Sequence, residues 1–289
     1  MTVAQKANEI ISQRILFTKW PGGFASVTII CNPRSSVKVK MMDTDTRIGG
    51  SNGRFPDTRH SAIVAARSGT PADRAVAHES IVAAYWKPVY KYIRIKWKSS
   101  NEDAKDLTQG FFLRALEKDF FDGYRAEKGS FRTYLRVCLE GFLANEKKAS
   151  QRLKRGGGAI LLALDFTTAE GELRQIEIAQ DDSPDRFFAR EWTRSLFEIA
   201  LLSLREQCEA QGKQIHYSLF ERYDLAEEDQ RATYASLAAQ SGLSTVSVTN
   251  YLAWVRRQFR RIVLEKLRGL TASDQEFRSE ARALLGAEL

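Results

Sequence analysis

Residues 234–261 read YASLAAQSGLSTVSVTNYLAWVRRQFRR, and their spacing decides the fold of the carboxyl-terminal part of the chain. Counted from Tyr234, the alanine at the fifth position allows two short helices to cross closely. Gly242, at the ninth position, takes the positive φ of a tight turn at little cost. The small core beneath the turn comes from Leu237, Leu243 and Val248. This spacing predicts a helix-turn-helix that docks on double-stranded DNA, with an ordinary helical hairpin as the alternative.

The second helix of the pair carries the side chains that we expect to touch DNA. Five short polar residues near its start suit contacts with base edges or phosphates, and the first of them can also cap the helix: Ser244, Thr245, Ser247, Thr249 and Asn250. Four arginines farther along are placed to neutralise phosphates: Arg256, Arg257, Arg260 and Arg261. In the alternative hairpin, these arginines would form only a solvated basic face. Trp254 and Phe259 are predicted core residues.

The composition of the whole chain limits the classes of protein to which it can belong. The chain has 289 residues and a formal net charge of +8, which favours a polyanionic partner only weakly at this length. The three cysteines, Cys31, Cys138 and Cys208, match no metal-ligand spacing, and their odd number argues against a disulfide framework. No stretch approaches the roughly 18 apolar residues that a membrane-spanning helix needs. We therefore expect a cytoplasmic protein that does not enter the membrane.

The pattern from residue 57 onward is helical, and it predicts an all-α fold with two helical modules joined by a flexible linker. Residues 1–55 mix short strand-like pieces with polar, glycine-bearing sequence. They predict a disordered tail, or an artefact if translation begins at Met41 or Met42. The predicted divisions are an extension at 1–55, a first module at 56–155, a linker at 156–183 and a second module at 184–289.

The first module contains two helices of opposite character. The helix predicted at 101–119, capped by Ser100, carries Asp103, Asp106 and Gln109 on one face. That face is either solvated or a docking surface for a basic partner. The helix predicted at 130–155 ends in basic residues and follows an aromatic cluster: Phe120, Phe121, Tyr124, Phe131 and Tyr134. Basic residues beside aromatics are typical of proteins that capture unstacked bases. Core packing is the better interpretation for Phe131. For Tyr124 and Tyr134, the choice between core packing and base capture is left open.

The preceding helical run, 71–96, predicts a buried face and a kink or break at Pro88. Its predicted core positions are Val76, Ile81, Ala84, Tyr85, Val89, Tyr92 and Ile93. A last helix opened by Ser273 and Glu276 should bury Phe277, Ala281 and Leu284.

No constellation of residues indicates catalysis. The histidines His60, His78 and His216 are scattered, and Gly156-Gly157-Gly158 lacks the Lys-Ser/Thr of a phosphate-binding loop. The sequence therefore predicts a protein that is not an enzyme and needs neither cofactor nor metal.

Several motifs appear in a fixed order from about residue 55 to the carboxyl terminus. Besides the helix-turn-helix they are Phe55–Arg59, Ala84–Tyr90, Glu102–Gln109, Lys128–Leu135, Phe142–Glu146 and Lys154–Gly158. In this order and spacing, the chain resembles the extracytoplasmic-function group of bacterial sigma factors, and most closely the variety abundant in planctomycetes and acidobacteria.

The resemblance implies a mechanism and its residues. The first module would dock on core RNA polymerase through Asp103, Asp106 and Gln109. The loop Asp122–Gly129 and the helix after it would open the minus-ten promoter element and capture an unpaired base. The residues implied for this are Tyr124, Arg132, Tyr134, Arg136, Asn145, Lys147, Lys148 and Arg152. The second module would bind the minus-thirty-five element as duplex through Ser244 to Arg257, with Arg260 on the backbone.

The resemblance also implies that the linker threads toward the polymerase active centre and that an anti-sigma factor is a further partner. Two positions depart from the family pattern. Gly110 stands where many members have an acidic residue, and Gly141 stands where many have asparagine. The alternative function is a stand-alone helix-turn-helix regulator, which leaves the acidic helix at Asp103 to Gln109 without a role.

Overall fold

The computed structural model describes residues 61–117, 120–150, 164–174, 183–226 and 230–285, together with two short strands. The strands, β1 (Ile15–Leu16) and β2 (Thr28–Ile29), pair antiparallel. All other regular structure in the described residues is helical, which confirms the predicted all-α class. Apart from these strands, the predicted extension at 1–55 lies outside the described residues.

Ten α-helices are described. Those of the amino-terminal part are α1 (Ala62–Ser68), α2 (Pro71–Lys96), α3 (Asn101–Glu117), α4 (Phe131–Ser150) and α5 (Phe166–Arg174). Two 3₁₀ turns, Phe120–Gly123 and Ala126–Lys128, connect α3 to α4. The remaining helices are α6 (Pro184–Ala210), α7 (Gln214–Tyr223), α8 (Tyr234–Ser241), α9 (Thr245–Gly269) and α10 (Asp274–Leu285).

The described chain folds into two compact units. Among the described residues, the first contains those from Ser61 to Ala189 together with Gly269–Glu276. The second contains the two strands, Arg190–Arg268 and the residues from Phe277 to Leu285. The division falls inside α6, not at the predicted end of the linker. No helix among the described residues is long and apolar enough to cross a membrane.

Helix α2 organises the first unit. Thr70 and Asp73 form a capping box at its start, with Pro71 in the first helical position. Six of its seven predicted core residues are buried, but Val76 is 48% exposed. The buried face instead begins at Ala77, one residue later. The helix continues through Pro88 to Lys96, so the predicted break is wrong. Burial of the residues around Pro88 offsets the single backbone hydrogen bond that proline removes.

The start of α4 is fixed by a carboxylate from far along the chain. Glu276 accepts hydrogen bonds from the backbone N–H groups of Phe131 and Ala272, both at 2.7 Å. A carboxylate is favourable there because the first N–H groups of a helix have no partner within the helix. Ser273 accepts from the Glu276 N–H, as the predicted capping box requires, but the Glu276 side chain caps α4 instead. Phe277, Ala281 and Leu284 are buried, as predicted.

The second unit packs an aromatic core. The ring of Phe259 on α9 lies 5.8 Å from that of Phe197 on α6 and 5.9 Å from that of Phe220 on α7. Phe259 is therefore a core residue, as predicted. Trp254 is half-buried, with the Lys213 ammonium 3.9 Å from its ring centre. The rings of Phe197 and Phe220 therefore pack against the buried side of α9.

Candidate nucleic-acid interface

The predicted helix-turn-helix has the geometry that its spacing requires. Thr233 caps α8 by accepting from the Ser236 N–H at 3.1 Å. Gly242 adopts a left-handed conformation with φ of 64°, and its N–H donates to the carbonyl of Ala238. Leu237, Ala238 and Val248 are buried, whereas Leu243, also predicted for this core, is half-buried. The helix-turn-helix is confirmed as a structure, and DNA docking remains a prediction.

Helix α9 has a buried side and an opposite exposed side. Val248, Leu252 and Val255 have no exposed surface. At about 100° per residue, the direction opposite to them is that of Val246, Asn250 and Arg257. All three of these are exposed. The side of α9 that faces solvent therefore carries part of the set predicted to meet DNA.

The short polar residues of α9 fall into two groups. The Ser244 hydroxyl caps the helix by accepting from the Ser247 N–H at 3.1 Å, and it also lies 2.9 Å from the Ser247 hydroxyl. Thr249 donates its hydroxyl to the carbonyl of Thr245 at 2.9 Å. The side chain of Asn250 makes no hydrogen bond within the part of the chain that the structure describes. The carboxamide of Asn250 is therefore available to a ligand.

Arg256 has a structural role that the sequence did not predict. Its guanidinium forms a two-point ion pair with Asp224, at the end of α7, at 2.8 and 3.0 Å. It also lies 5.6 Å from the ring centre of Tyr223. Burial raises the pKa of Asp224, although the neighbouring Arg256 favours the charged form. Arg256 therefore ties α9 to α7, and the phosphate contact predicted for it stays a prediction.

The other arginines of α9 differ in how far they are engaged. Arg261 pairs with Glu265 and with Gln207, which satisfies its donors within the second unit. Arg257 is exposed and Arg260 is half-buried, and neither has an ion-pair partner among the described residues. No acidic residue occurs between Ser244 and Leu264. Arg257 and Arg260 remain the predicted phosphate contacts.

Substitution of the adjacent arginines should separate the two roles. We expect Arg257→Ala to lower the slope of log affinity for duplex DNA against log salt concentration by about 0.9, the value for one phosphate contact. The thermal midpoint should stay within about one degree, since Arg257 is exposed. Arg256→Ala should instead lower the free energy of unfolding by about 1–3 kcal/mol, because it leaves a half-buried carboxylate without its partner. Equal salt slopes for Arg257→Ala and the unchanged protein would contradict the assignment.

Helix α3 exposes the acidic face predicted to bind polymerase. Ser100 caps the helix, and its hydroxyl donates to the Asp103 carboxylate at 2.7 Å. Asp106 is exposed, and Gln109, one turn later, is half-buried. Asp103 is therefore partly used in capping, while Asp106 and Gln109 share an accessible side of the helix. Gly110 has room for a β-carbon, with the Phe142 ring 3.5 Å away.

Helix α4 exposes a stripe that winds partly around the helix along its length. The stripe steps by four and then three residues through Thr133, Val137, Gly141, Asn145 and Lys148, all exposed. A β-carbon added at Gly141 would meet no atom within 4 Å, so the middle of the stripe is open surface without a side chain. Lys147 is exposed beside it and Arg132 is half-buried at its start. Arg152 lies outside the described residues.

Three residues predicted to bind the minus-ten element are used inside the first unit. Tyr124 is 2% exposed and donates its hydroxyl to the carbonyl of Gly129, so it has no free ring face for a base. Tyr134 donates to the carbonyl of Phe120 at 2.6 Å, and burial raises its pKa above the ordinary value. Arg136 pairs with Glu140 and Asp185. The burial of Tyr124 argues against base capture by its ring, while the minus-ten contacts of Tyr134 and Arg136 stay predictions.

Part of the predicted linker is a folded helix held by ion pairs. On α5, Glu172 lies 2.7 Å from the Lys87 ammonium and 2.8 Å from the Lys91 ammonium, with all three side chains buried. Glu170 accepts two hydrogen bonds from the Arg94 guanidinium, which lowers its pKa to about 2. The expectation of a flexible linker is therefore wrong for residues 164–174.

The sequence held a signal for this arrangement. Lys87, Lys91 and Arg94 fall on one side of α2, within the stretch 81–95 whose other residues are all apolar or aromatic. Buried cations require anionic partners. Phe166 completes the attachment, because its ring lies 5.6 Å from that of Trp86 and 5.1 Å from that of Tyr90. The α5 contacts neutralise the basic side of α2.

Comparisons with protein-family models, with curated proteins and with solved structures find no match. Within the described residues, no group of three or more His, Cys, Asp and Glu side chains could hold a metal ion. The functional assignment therefore depends on the exposed faces of α3, α4 and α9 and on the motifs of the sequence.

Proposed function

We propose that this protein is a sigma factor of the extracytoplasmic-function type, which binds core RNA polymerase and directs it to promoters. The sigma factor would be a non-catalytic specificity subunit. Its partners would be core polymerase and promoter DNA, with an anti-sigma factor as a possible regulator. The order of motifs from residue 55 onward supports this proposal.

The observation that carries the proposal is the exposed acidic face of α3. Asp106 is accessible and Asp103 adds a second carboxylate one turn before it. A carboxylate face repels DNA phosphates, so this face of α3 cannot contribute to duplex binding by the helix-turn-helix. A basic protein surface is the partner that fits it. A stand-alone regulator needs only the second unit, whereas a sigma factor needs both.

The proposal divides promoter contact between two helices. Exposed Asn145, Lys147 and Lys148 on α4 would approach the minus-ten element. The exposed side of α9, with Asn250 and Arg257, would enter the major groove of the minus-thirty-five element. Because Tyr124 is buried, it is excluded from base capture. We expect an unpaired base to contact the exposed stripe of α4 around Gly141 instead.

Co-purification with core RNA polymerase tests the proposal. The full chain, carrying an affinity tag, should retain purified core at submicromolar concentration, and the free chain should bind duplex DNA weakly. A stand-alone regulator gives the opposite pattern: tight binding of the free chain to duplex DNA and no retention of core. That pattern would refute the sigma assignment.

A further inference from the structure

Val246 is the most exposed large hydrophobic side chain among the described residues. Its exposed fraction is 67%, compared with 54% for Val137 and 48% for Val76. It lies in the first turn of α9, and Asn250 follows one helical turn later. The directions of Val246, Asn250 and Arg257 from the helix axis fall within about 40° of one another at 100° per residue. One exposed line therefore carries an apolar group, a carboxamide and a guanidinium.

The surroundings of this line indicate what could cover it. A single exposed valine is ordinary on a protein surface. This valine, however, lies beside short side chains on a helix with no carboxylate between Ser244 and Leu264. Short side chains let the helix backbone approach closely, and the major groove of DNA is about 12 Å wide, enough for one helix. The charge and width fit duplex DNA better than a protein surface.

The two side chains match specific groups on an A·T pair. The thymine C5 methyl group is the apolar group that the major groove presents, and valine methyls can pack against it. The carboxamide of asparagine offers one acceptor and one donor pair, which complement N6 and N7 of adenine. The Ser244 hydroxyl caps the helix and lies against that of Ser247, and Thr249 donates to Thr245. Val246 and Asn250, in the first two turns, are thus the uncommitted groups of this line that suit base edges, while Arg257 suits a phosphate.

We infer that α9 recognises A·T pairs in the major groove, with Val246 packed on a thymine methyl group and Asn250 bonded to an adenine. Four residues of helix span about 6 Å, close to two base-pair steps of about 3.4 Å. The two side chains therefore contact different base pairs. This inference rests on the proposed function, since it assigns a base preference to the duplex-binding helix of that site.

A double-mutant cycle between protein and DNA tests the inference. The full chain, bound to core polymerase, first selects duplexes from a library with randomised base pairs. Each thymine of the selected duplex is then replaced by deoxyuridine, which removes only the C5 methyl group. We expect one replacement to weaken binding about fourfold, the value for one buried methyl group. The same replacement should have no effect on the Val246→Ala protein.

The adenine contact has its own cycle. Replacing one adenine by 7-deazaadenine removes the N7 acceptor and should weaken binding about 2- to 12-fold in the unchanged protein, the range for one hydrogen bond. It should have little further effect on Asn250→Ala. Ile215→Ala removes an exposed hydrophobic side chain elsewhere in the second unit and serves as the control. It should leave both sensitivities unchanged.

The outcomes separate the inference from the proposed function. Equal uridine sensitivity in the Val246→Ala and unchanged proteins would overturn the valine contact. A selected duplex without A·T pairs opposite α9 would overturn the whole inference, while salt-dependent duplex binding by the complex with core polymerase would leave the proposed function standing. Failure to select any duplex, with or without core polymerase, would contradict both the inference and the proposed function.

Discussion

Replacing Glu172 by glutamine should lower the free energy of unfolding of the first unit by about 3–5 kcal/mol, the cost of removing one member of a buried ion pair. The Glu172 carboxylate lies between the ammonium groups of Lys87 and Lys91, and its side chain is 3% exposed. Burial opposes its charged form, but Lys91 and Lys87 outweigh that effect and hold its pKa below the ordinary value. Glutamine keeps the shape and removes the charge, so two buried ammonium groups would face each other without a carboxylate.

The measurement is urea unfolding of the full chain, followed by tryptophan fluorescence. Glu102→Gln is the matched control in the same unit, because Glu102 pairs with Lys105 at the surface and its side chain is 81% exposed. That control should change the free energy of unfolding by less than about 0.5 kcal/mol. A loss below about 1 kcal/mol for Glu172→Gln would mean that α5 is not held by the buried carboxylate.

Replacing Asp106 and Gln109 together by alanine should abolish transcription while the fold stays intact. Both lie on the accessible side of α3, and neither side chain forms a hydrogen bond or ion pair within the described residues, so their loss removes contacts to the partner only. The loss of an interface hot spot costs about 2 kcal/mol or more, which is roughly a 30-fold loss of affinity for core polymerase.

The affinity for core polymerase is measured by titration, and transcription by run-off synthesis from a selected promoter. Glu79→Ala is the matched control, since Glu79 is exposed on α2 and has no ion-pair partner among the described residues. Circular dichroism and the urea midpoint should match those of the unchanged chain for both variants. Unchanged affinity of the double variant for core would show that α3 is not the docking face.

The features that sequence predicted well are those fixed by local spacing. The helix-turn-helix depends on residues within one short stretch, where Ala238 permits a close crossing and Gly242 adopts positive φ. Helix caps such as Ser100 and Ser244 are local too, and both accept the expected backbone N–H. The buried face of α2 followed from its apolar periodicity.

The features that sequence missed depend on partners far along the chain. Arg256 appeared as one arginine in a basic cluster, and its partner Asp224 lies 32 residues away. Residues 164–174 were predicted as part of the linker that follows Gly156-Gly157-Gly158, yet Glu172 pairs with Lys87 across 85 residues. Whether the ring of Tyr124 is buried or exposed also depended on packing. The ring is buried and lies 5.3 Å from that of Phe131. A basic–aromatic pattern alone does not distinguish a core from a binding surface.

In vitro transcription with purified core RNA polymerase tests the central claim most directly. Core polymerase, genomic DNA and the full chain would be incubated together, and the start sites of the transcripts mapped. The account predicts discrete start sites that require the chain, disappear with Asp106→Ala plus Gln109→Ala, and share one duplex element upstream and a second near the start. Transcripts that are the same with and without the chain would contradict its assignment as a sigma factor.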